Sequence, residues 1–217
     1  VKTVLPIIIN ENQKIIMSRD FITNLKTKLE KFKTLNKKEI TKLNNIADSY
    51  NIRYLNKHKL DLIDEILSNV DIIPNSIALA QAAIESGWGK SRFAKEYNAL
   101  FGEYTYDQNE GVVPLKRELG DKHLIKSFSS FDNSVSSYFR NINSHYAYNE
   151  FRKVRYIMRS KNNFSDTNLL LNKLNSYAEN DKYIEILESV IQKNKFSKFD
   201  SKIISKAVNL QVQPVLL

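Results

Sequence analysis

The sequence contains no cysteine, and this absence excludes a disulfide framework and any metal site built from thiolates. It also lacks an apolar run long enough to span a bilayer. The opening segment, V-K-T-V-L-P-I-I-I-N, is too short for a signal peptide and has no basic flank. We therefore expect a mature start from which an export signal has been removed.

The usual patterns of nucleic-acid-binding proteins and of serine hydrolases are missing too. RNP-like, zinc-finger and basic-zipper patterns are absent. The three histidines, His58, His123 and His145, fall in no metal-ligand spacing, and Ser86 and Ser91 have no partnered histidine or aspartate. We expect no metal, no cofactor and no specific nucleic-acid partner.

The charge of the chain is strongly positive, with a formal net charge of +9 and a pI near 9.5. Such a surface favours polyanions in general, among them nucleic acid, anionic lipid and anionic cell-wall polymers. Because the lysines are scattered through amphipathic helices, a solvated lysine-rich surface is the first interpretation. Attraction to the cell wall or to another polyanion is the second.

The most informative stretch runs from Ile77 to Gly102 and reads I-A-L-A-Q-A-A-I-E-S-G-W-G-K-S-R-F-A-K-E-Y-N-A-L-F-G. Between Ile77 and Ile84 the only polar side chain is Gln81, a pattern typical of a helix buried at the centre of a domain. Pro74, Asn75 and Ser76 supply a helix start with a capping side chain, and two glycines soon after Glu85 supply the stop.

Glu85 ends this predicted helix. At about 100° per residue it shares a face with Ala78, Gln81, Ala82, Trp88 and Arg92. The helix dipole and burial both disfavour an anion at this end, so the pKa of Glu85 should be raised, which suits a general acid. The alternative is that Glu85 emerges into water or pairs with Arg92.

The residues around Glu85 resemble the catalytic region of bacterial peptidoglycan N-acetylglucosaminidases. The strings E-S-G-W-G-K-S-R-F-A and N-A-L-F-G are most similar to the Bax-type branch of glycoside hydrolase family 73. The resemblance implies that Glu85 is the catalytic acid and that the segment from Asn98 to Gly102 leads into a small β-lobe beside the cleft. It covers roughly residues 70–195.

The expected fold is a mainly α, lysozyme-like helical domain with a small β-hairpin lobe. Residues 1–195 would form this single domain, and residues 196–217 an extension or tail.

Periodicity predicts a helix over 18–33, a second opened by a capping box at Asn36 and Glu39, and a third over 58–70. Short strands are expected over 103–128. Helices then resume near Asp132 as N-cap and continue over 148–159, 166–177 and 181–193. The stripe of the first helix consists of Phe21, Leu25, Leu29 and Phe32.

The second catalytic group is less well defined. L-N-S-Y-A-E-N-D-K-Y resembles the motif that brings a tyrosine beside the catalytic glutamate, and it maps to Tyr177 first and Tyr183 second; the alternative is that both are core aromatics. A water-activating carboxylate is expected on the β-lobe. Because this sequence reads P-L-K-R-E where relatives carry a hairpin glutamate, Glu118 is the candidate there, and assistance by the substrate's 2-acetamido group is the alternative. The lobe carboxylates are Glu103, Asp107, Glu110, Glu118 and Asp121.

The candidate substrate-binding residues are those expected around the cleft. Tyr104 and Tyr106 would stack on sugar rings, and so would Trp88, although core packing is the preferred interpretation for Trp88. The full set is Gln81, Trp88, Asn98, Phe101, Tyr104, Tyr106 and Tyr183.

The sequence thus predicts an endo-β-N-acetylglucosaminidase that cleaves the glycan strand of peptidoglycan, in the periplasm or at the cell wall. A lytic transglycosylase or a muramidase is the alternative among enzymes, because one buried glutamate on such a helix serves them too. A non-catalytic module that binds the cell wall or a polyanion is the alternative of another class. Glu85 argues against it, because loss of activity usually leaves Gln or Ala there.

Overall fold

The structure, a computed structural model, describes residues 1–114, 122–161, 166–178 and 180–200. These residues form a mainly helical molecule with one small antiparallel sheet, as the sequence predicts. Three short 3-10 turns cover Tyr146–Tyr148, Asn175–Tyr177 and Phe196–Phe199. The helices and strands are α1 (Val4–Phe32), α2 (Lys37–Ser49), α3 (Lys59–Asn69), α4 (Asn75–Glu85), α5 (Arg92–Tyr97), β1 (Tyr104–Thr105), β2 (Gly111–Val112), β3 (Leu124–Lys126), α6 (Phe131–Ser144), α7 (Asn149–Ser160), α8 (Asn168–Leu171) and α9 (Tyr183–Lys193).

Helix α4 lies at the centre of the molecule, and its predicted burial is confirmed. Every residue from Asn75 to Ala83 is buried. Helices α1 and α9 and the 3-10 turn Phe196–Phe199 pack around it. The small side chains of its alanines allow these elements to approach its backbone closely.

The predicted cap of α4 by Asn75 or Ser76 is wrong, because both side chains bond to a distant part of the chain. The Ser76 backbone N–H and hydroxyl donate to the Asp200 carboxylate at 2.8 and 2.6 Å, and the Asn75 amide donates to the Phe199 carbonyl at 2.8 Å. A carboxylate at a helix N-terminus is favoured by the helix dipole. The packed structure therefore continues to Asp200, past the boundary expected at residue 195.

The helices before α4 follow the predicted periodicity with two differences. Helix α1 begins at Val4, well before the predicted stretch, and Leu25 and Leu29 are buried as expected. Phe32, however, is 60% exposed, because it lies in the last turn of α1 before Lys33 turns the chain with a left-handed backbone. The predicted capping box of α2 is confirmed by reciprocal bonds between Asn36 and Glu39.

The helices after the sheet also differ from the prediction at their ends. Ser130, not Asp132, is the N-cap of α6, since its hydroxyl accepts a hydrogen bond from the Asn133 N–H at 3.2 Å. The helix predicted over 166–177 is reduced to the single turn of α8 and a 3-10 turn ending at Tyr177. Helices α7 and α9 lie close to their predicted positions.

The small sheet has the strand order β1-β3-β2, with both pairs antiparallel. The central strand is therefore the last one in sequence: β2 and β3 are the antiparallel pair that is consecutive along the chain, and β1 pairs with the other edge of β3. A side chain at Gly111 would lie 2.5 Å from the Leu124 Cβ and 2.6 Å from the Thr105 Cγ2, so the close approach of the strands requires glycine there.

The segment that leads into α4 is held by a buried cluster of arginines around Asp71. The Asp71 carboxylate pairs with Arg159 of α7 and, at 3.5 Å, with Arg19 of α1. Arg155 donates to the Asp71 and Ile72 carbonyls at 3.0 and 3.1 Å. Burial alone would raise the pKa of Asp71, but Arg19 and Arg159 hold it at about 2, so the cluster stays ionised.

Candidate active site

Glu85 is the last residue of α4 and stands where the buried helix meets the segment before the sheet. Its carboxyl group is half-buried, and Oε1 accepts a hydrogen bond from the Tyr183 hydroxyl at 2.9 Å. Oε2 faces the backbone at Gly102, where an added Cβ would lie 3.5 Å away. Gly102 has a φ of +62°, a conformation that favours glycine, whereas the carboxyl group would leave room for a Cβ at ordinary contact distance. The alternative, a pairing of Glu85 with Arg92, does not occur, because α4 ends before Arg92, which contacts Val113, Tyr97 and Glu96 instead.

Two effects act on the pKa of Glu85 in opposite directions. Burial raises the pKa, and the hydrogen bond from Tyr183 lowers it by stabilising the carboxylate. Burial is the larger of the two, so the group holds its proton to a higher pH than an exposed glutamate does. This is the property that a general acid needs.

A chain of hydrogen bonds fixes the tyrosine that contacts Glu85. The Tyr138 hydroxyl donates to Gln81 Oε1 at 2.6 Å, and Gln81 Nε2 donates to the Tyr183 oxygen at 3.0 Å. Because the amide nitrogen can only donate, the single hydrogen of the Tyr183 hydroxyl is directed at Glu85. Burial and the nearby Glu85 raise the pKa of Tyr183, so this hydroxyl remains a neutral donor.

Tyr183, and not Tyr177, therefore lies beside Glu85, which reverses the order predicted from the sequence. The Tyr177 hydroxyl donates to the Phe101 carbonyl at 2.9 Å, and its ring stacks on Tyr183 with 5.8 Å between ring centroids. The reason is the packing of α9 against α4, which brings the first residue of α9 to the end of α4. Tyr177 instead holds the backbone next to Gly102 through its hydrogen bond to the Phe101 carbonyl.

Three of the predicted substrate-binding residues have structural roles. Gln81 is fully buried, and its amide is occupied by the two tyrosine hydroxyls. Phe101 is 2% exposed and stacks on Tyr138 at 4.0 Å. Asn98 ends α5 with a left-handed backbone, and its amide donates to the Phe128 carbonyl at 2.9 Å. Gln81 and Phe101 thus support the site from the interior, whereas Asn98 is half-buried and holds the chain near Phe128.

Trp88 is not in the core, so the preferred interpretation of this residue is wrong. Its ring is 54% exposed and its φ is +59°, because the chain turns sharply after α4. Among the described residues it borders an apolar cavity of about 280 Å³ with Leu79, Ala82 and Ala83 of α4. Neither Gln81 nor Glu85 lines this cavity.

The tyrosines of the sheet are exposed as a sugar-binding surface requires. Tyr104 is 65% and Tyr106 77% exposed. The Tyr104 ring stacks on His123 of the strand segment opposite, with 4.4 Å between centroids. Their aromatic faces are thus available to a ligand, and Tyr104 is held in place by its neighbour.

The candidates for a second catalytic carboxylate differ in their exposure and in their partners. Glu118 and Asp121 lie outside the described residues. Of the remaining lobe carboxylates, Asp107 accepts from the Asn109 N–H at 2.8 Å and Glu110 pairs with Lys126 at 3.7 Å, both at exposed positions. Glu103 differs from both, because one of its carboxyl oxygens is buried.

Glu103 is enclosed between the sheet and α6. One carboxyl oxygen accepts from the Ser137 hydroxyl at 3.0 Å, and the other is buried with no partner among the described residues. Burial raises its pKa to about 7, against the opposing effects of Ser137, Lys126 and Arg140. Sequence patterns gave Glu103 no priority over the other lobe carboxylates, because its burial depends on packing against α6.

The cluster around Glu85 also contains tyrosines that sequence reasoning assigned to the core or did not single out. Tyr138 is fully buried, and its hydroxyl is the first donor of the chain that ends at Glu85. Tyr148 is buried, and burial together with Glu103 and Glu85 raises its pKa to about 12. Among the described residues, no three His, Asp or Glu side chains are grouped to hold a metal ion.

Comparison with known proteins identifies the family. The family described as mannosyl-glycoprotein endo-beta-N-acetylglucosaminidase (Glucosaminidase) matches residues 60–196. Protein bax of Escherichia coli (strain K12) is 32% identical over 158 residues, which are 73% of this chain and 54% of that protein. The chain thus spans about half the length of this curated relative. The catalytic domain of the autolysin Auto from Listeria monocytogenes is 19% identical, with a TM-score of 0.48, over 82% of this chain and 96% of that domain.

The chain belongs to the glucosaminidase family, glycoside hydrolase family 73. The resemblance seen in the sequence is confirmed, and the identity to Protein bax agrees with the Bax-type branch. In the part of the chain that the structure describes, no helix is long and apolar enough to cross a membrane.

Proposed function

We propose that this protein hydrolyses the glycan strand of bacterial peptidoglycan after N-acetylglucosamine, with Glu85 as the general acid. The observation that carries this proposal is the environment of Glu85. A half-buried carboxyl group with a raised pKa stands at the end of the central helix and is oriented by a neutral tyrosine hydroxyl. Family membership supplies the substrate class, an N-acetylglucosaminide.

In the proposed reaction Glu85 donates its proton to the glycosidic oxygen as the bond from that oxygen to C1 of N-acetylglucosamine breaks. Water supplies the hydroxyl group that ends on C1, and its remaining proton returns the carboxylate to the acid form. Tyr183 holds the carboxyl group in position, and Tyr177 holds the Phe101–Gly102 backbone against it. The burial of the donor is what lets it remain protonated near neutral pH.

The reaction also needs a group that activates the water or stabilises the positive charge that develops at C1. Glu118 stays a candidate for activating the water, and the 2-acetamido group of the substrate is the alternative. We do not assign Glu103 to this role, because one of its carboxyl oxygens is buried and the other accepts from Ser137, although its pKa of about 7 would by itself suit an acid or base at neutral pH. Tyr104 and Tyr106 are proposed to stack on the sugars bound beside the sheet.

The place of action follows from the substrate. A peptidoglycan hydrolase meets its substrate outside the cytoplasmic membrane, so we propose a periplasmic or cell-wall location. The net charge of +9 supports attraction to anionic polymers of the wall as additional partners.

The test is a Glu85→Gln variant assayed on purified peptidoglycan by zymography. The amide keeps the shape of the side chain but cannot donate the proton, so we expect folded protein with almost no activity. Glu96→Gln is the matched control, because Glu96 is 55% exposed on α5 and pairs only loosely with Arg92 at 3.7 Å. A Glu85→Gln variant as active as wild type would remove Glu85 from the role of acid.

The same digests identify the bond that is cleaved. Borohydride reduction and mass spectrometry of the wild-type products should show muropeptides that end in reduced N-acetylglucosamine. Reduced muramic acid as the main end group would make the protein a muramidase, and anhydromuramic acid would make it a lytic transglycosylase. Either result would contradict the proposed specificity.

A further inference from the structure

A single residue joins the small sheet to helix α6. Glu103 lies immediately before β1, and its carboxyl Oε2 accepts a hydrogen bond from the Ser137 hydroxyl of α6 at 3.0 Å. The Glu103 backbone carbonyl accepts from the Lys126 N–H of β3 at 2.7 Å. Glu103 is therefore bound to the central strand through its backbone and to the helical part of the molecule through its side chain.

The other carboxyl oxygen of Glu103 is enclosed and unpaired. Oε1 is buried and has no hydrogen-bond partner among the described residues. A neutral carboxyl group tolerates one unpaired oxygen at a modest cost, whereas a buried carboxylate requires hydrogen bonds or a paired cation. The geometry around Glu103 therefore suits the neutral acid and disfavours the anion. The raised pKa of this group agrees with the geometry.

The charged groups around Glu103 do not supply the missing partner. Lys126 of β3 and Arg140 of α6 both lower its pKa, but less than burial raises it. Lys126 pairs with Glu110 at 3.7 Å, and Arg140 is exposed; within the described ranges neither of them forms an ion pair with Glu103. The remaining titratable neighbours are tyrosines of α6 and of two 3-10 turns, which stay neutral because their pKa values are raised, in part by Glu103. They are Tyr138, Tyr148 and Tyr177.

The contact of Glu103 with α6 lies beside the candidate active site. Gly102, directly before Glu103, faces Oε2 of Glu85, and Tyr104, directly after it, is 65% exposed and proposed to stack on a sugar. Glu85 itself belongs to the buried helix α4. A movement of the sheet away from α6 would thus displace Gly102 and Tyr104 relative to the acid.

We propose that Glu103 is a positioning residue, which in its neutral form holds the sheet closed against α6 and on ionisation lets the sheet open. The opening is a property of the fold and does not depend on the substrate. Its consequence for glycan binding rests on the proposed function, because Tyr104 is assigned to the sugars there.

The opening has a definite dependence on pH. In the open state Glu103 reaches water and has an ordinary pKa of 4.5, whereas in the closed state its pKa is about 7. Between these values opening releases a proton, so the ratio of open to closed molecules rises with pH. The rise is about tenfold per pH unit and roughly 300-fold in all, and the ratio is constant above about pH 7.

Hydrogen exchange of backbone amides measures this ratio without a substrate. We expect the protection factors of the Lys126 amide and its neighbours in β3 to fall over this pH range, after correction for intrinsic exchange. They should also stay below those of α4, whose buried amides exchange when the whole protein unfolds. In Glu103→Gln and Glu103→Met, which carry no charge, the protection of β3 should not change with pH. Circular dichroism confirms that both variants fold.

Glu110→Gln is the matched control. The Glu110 carboxyl group is on the same sheet and 55% exposed, so this variant should keep the pH dependence of wild type. Protection of β3 equal to that of α4 would show that the sheet does not open separately from the rest of the molecule. A protection factor that is constant with pH in wild type, or that changes equally in Glu103→Gln, would show that Glu103 does not control the sheet. Each of these results would overturn the proposal.

Kinetic measurements separate failure of this proposal from failure of the proposed function. KM for a glycan strand should vary inversely with the closed fraction measured by exchange, and so be about twofold higher where half of the molecules are open. The ratio of KM in wild type to KM in Glu103→Gln should therefore rise between pH 5 and 7. If β3 opens as expected but no glycan is cleaved, the proposed function fails and the opening stands. If glycan is cleaved but the KM ratio does not follow the closed fraction, the positioning role of Glu103 is wrong.

Discussion

The hydroxyl of Tyr183 has a measurable effect on the acid it contacts. Its hydrogen bond to Glu85 lowers the carboxyl pKa, in opposition to burial, which raises it. Loss of the hydroxyl should therefore raise the pKa of Glu85 further. Since a general acid works only when protonated, its activity is lost as the pH rises through its pKa.

We predict that Tyr183→Phe moves the alkaline limb of the pH–activity profile to higher pH. A hydrogen bond to a charged group contributes about 1.5–3 kcal/mol, which corresponds to a shift of roughly one to two pH units. The measurement is kcat/KM against pH on one defined glycan strand, with circular dichroism to confirm folding.

Tyr177→Phe is the matched variant for this experiment. Its hydroxyl bonds to the Phe101 carbonyl and not to Glu85, so its alkaline limb should stay near that of wild type even where the rate falls. A limb that moves in Tyr177→Phe and stays in Tyr183→Phe would show that the contact seen between Tyr183 and Glu85 does not control the acid.

The raised pKa of Glu103 affects how the free energy of unfolding depends on pH. Its pKa rises from an ordinary value of 4.5 to about 7 on folding. Between these two values the unfolded chain releases the proton while the folded protein keeps it, so the free energy of unfolding falls as the pH rises. Above about pH 7 both states are ionised and the loss is complete.

We expect Glu103→Gln to remove this loss, because the amide does not ionise. Relative to the variant, wild type should lose up to roughly 3 kcal/mol between pH 4.5 and 7, measured by urea unfolding at several pH values. Glu110→Gln is the control, since its carboxyl group is on the same sheet and 55% exposed. Parallel stability curves for wild type and Glu103→Gln would contradict the raised pKa.

At the scale of helices, the sequence predicted what depends on local periodicity and missed what depends on distant partners. The periodicity of the apolar residues predicted α2 and α3, because one face of each helix is buried. The cap of α4 was not, because the carboxylate that accepts from Ser76 belongs to Asp200, 124 residues further along the chain. The short α8 was missed for a related reason, since a continuous apolar pattern does not reveal where the backbone tightens into a 3-10 turn.

The candidate site divides in the same way. Glu85 was identified because burial, the helix end and the surrounding motif are all written in one continuous stretch. The sequence ranked Tyr177 above Tyr183 as the neighbour of Glu85, but the contact is made by Tyr183, because it depends on how α9 packs on α4 across 98 residues of sequence; a catalytic role for either tyrosine stays a prediction. Exposure of Trp88 was missed because its turn has a left-handed backbone that is unusual for a large side chain.

At the scale of the whole molecule, the excess positive charge is spread over the surface and separate from the buried charges. The cluster around Asp71 holds α1, α7 and the start of α4 together and is shielded from solvent. Surface pairs such as Lys26 with Asp64, at 2.6 Å, are exposed and contribute little to stability. The net charge of +9 therefore acts mainly on what approaches the protein.

This leads to a prediction about salt. Attraction between exposed charges is screened beyond about 8 Å at physiological ionic strength, whereas proton transfer from half-buried Glu85 is not. Activity on intact, anionic cell walls should fall as salt rises, because encounter becomes slower. Turnover of a short neutral glycan should barely change over the same range.

The measurement compares initial rates on both substrates from low to high salt, with circular dichroism to exclude unfolding. Equal salt sensitivity on the two substrates would show that the charge does not guide the encounter, and tight, salt-resistant binding to nucleic acid would instead favour a polyanion-binding role for the surface.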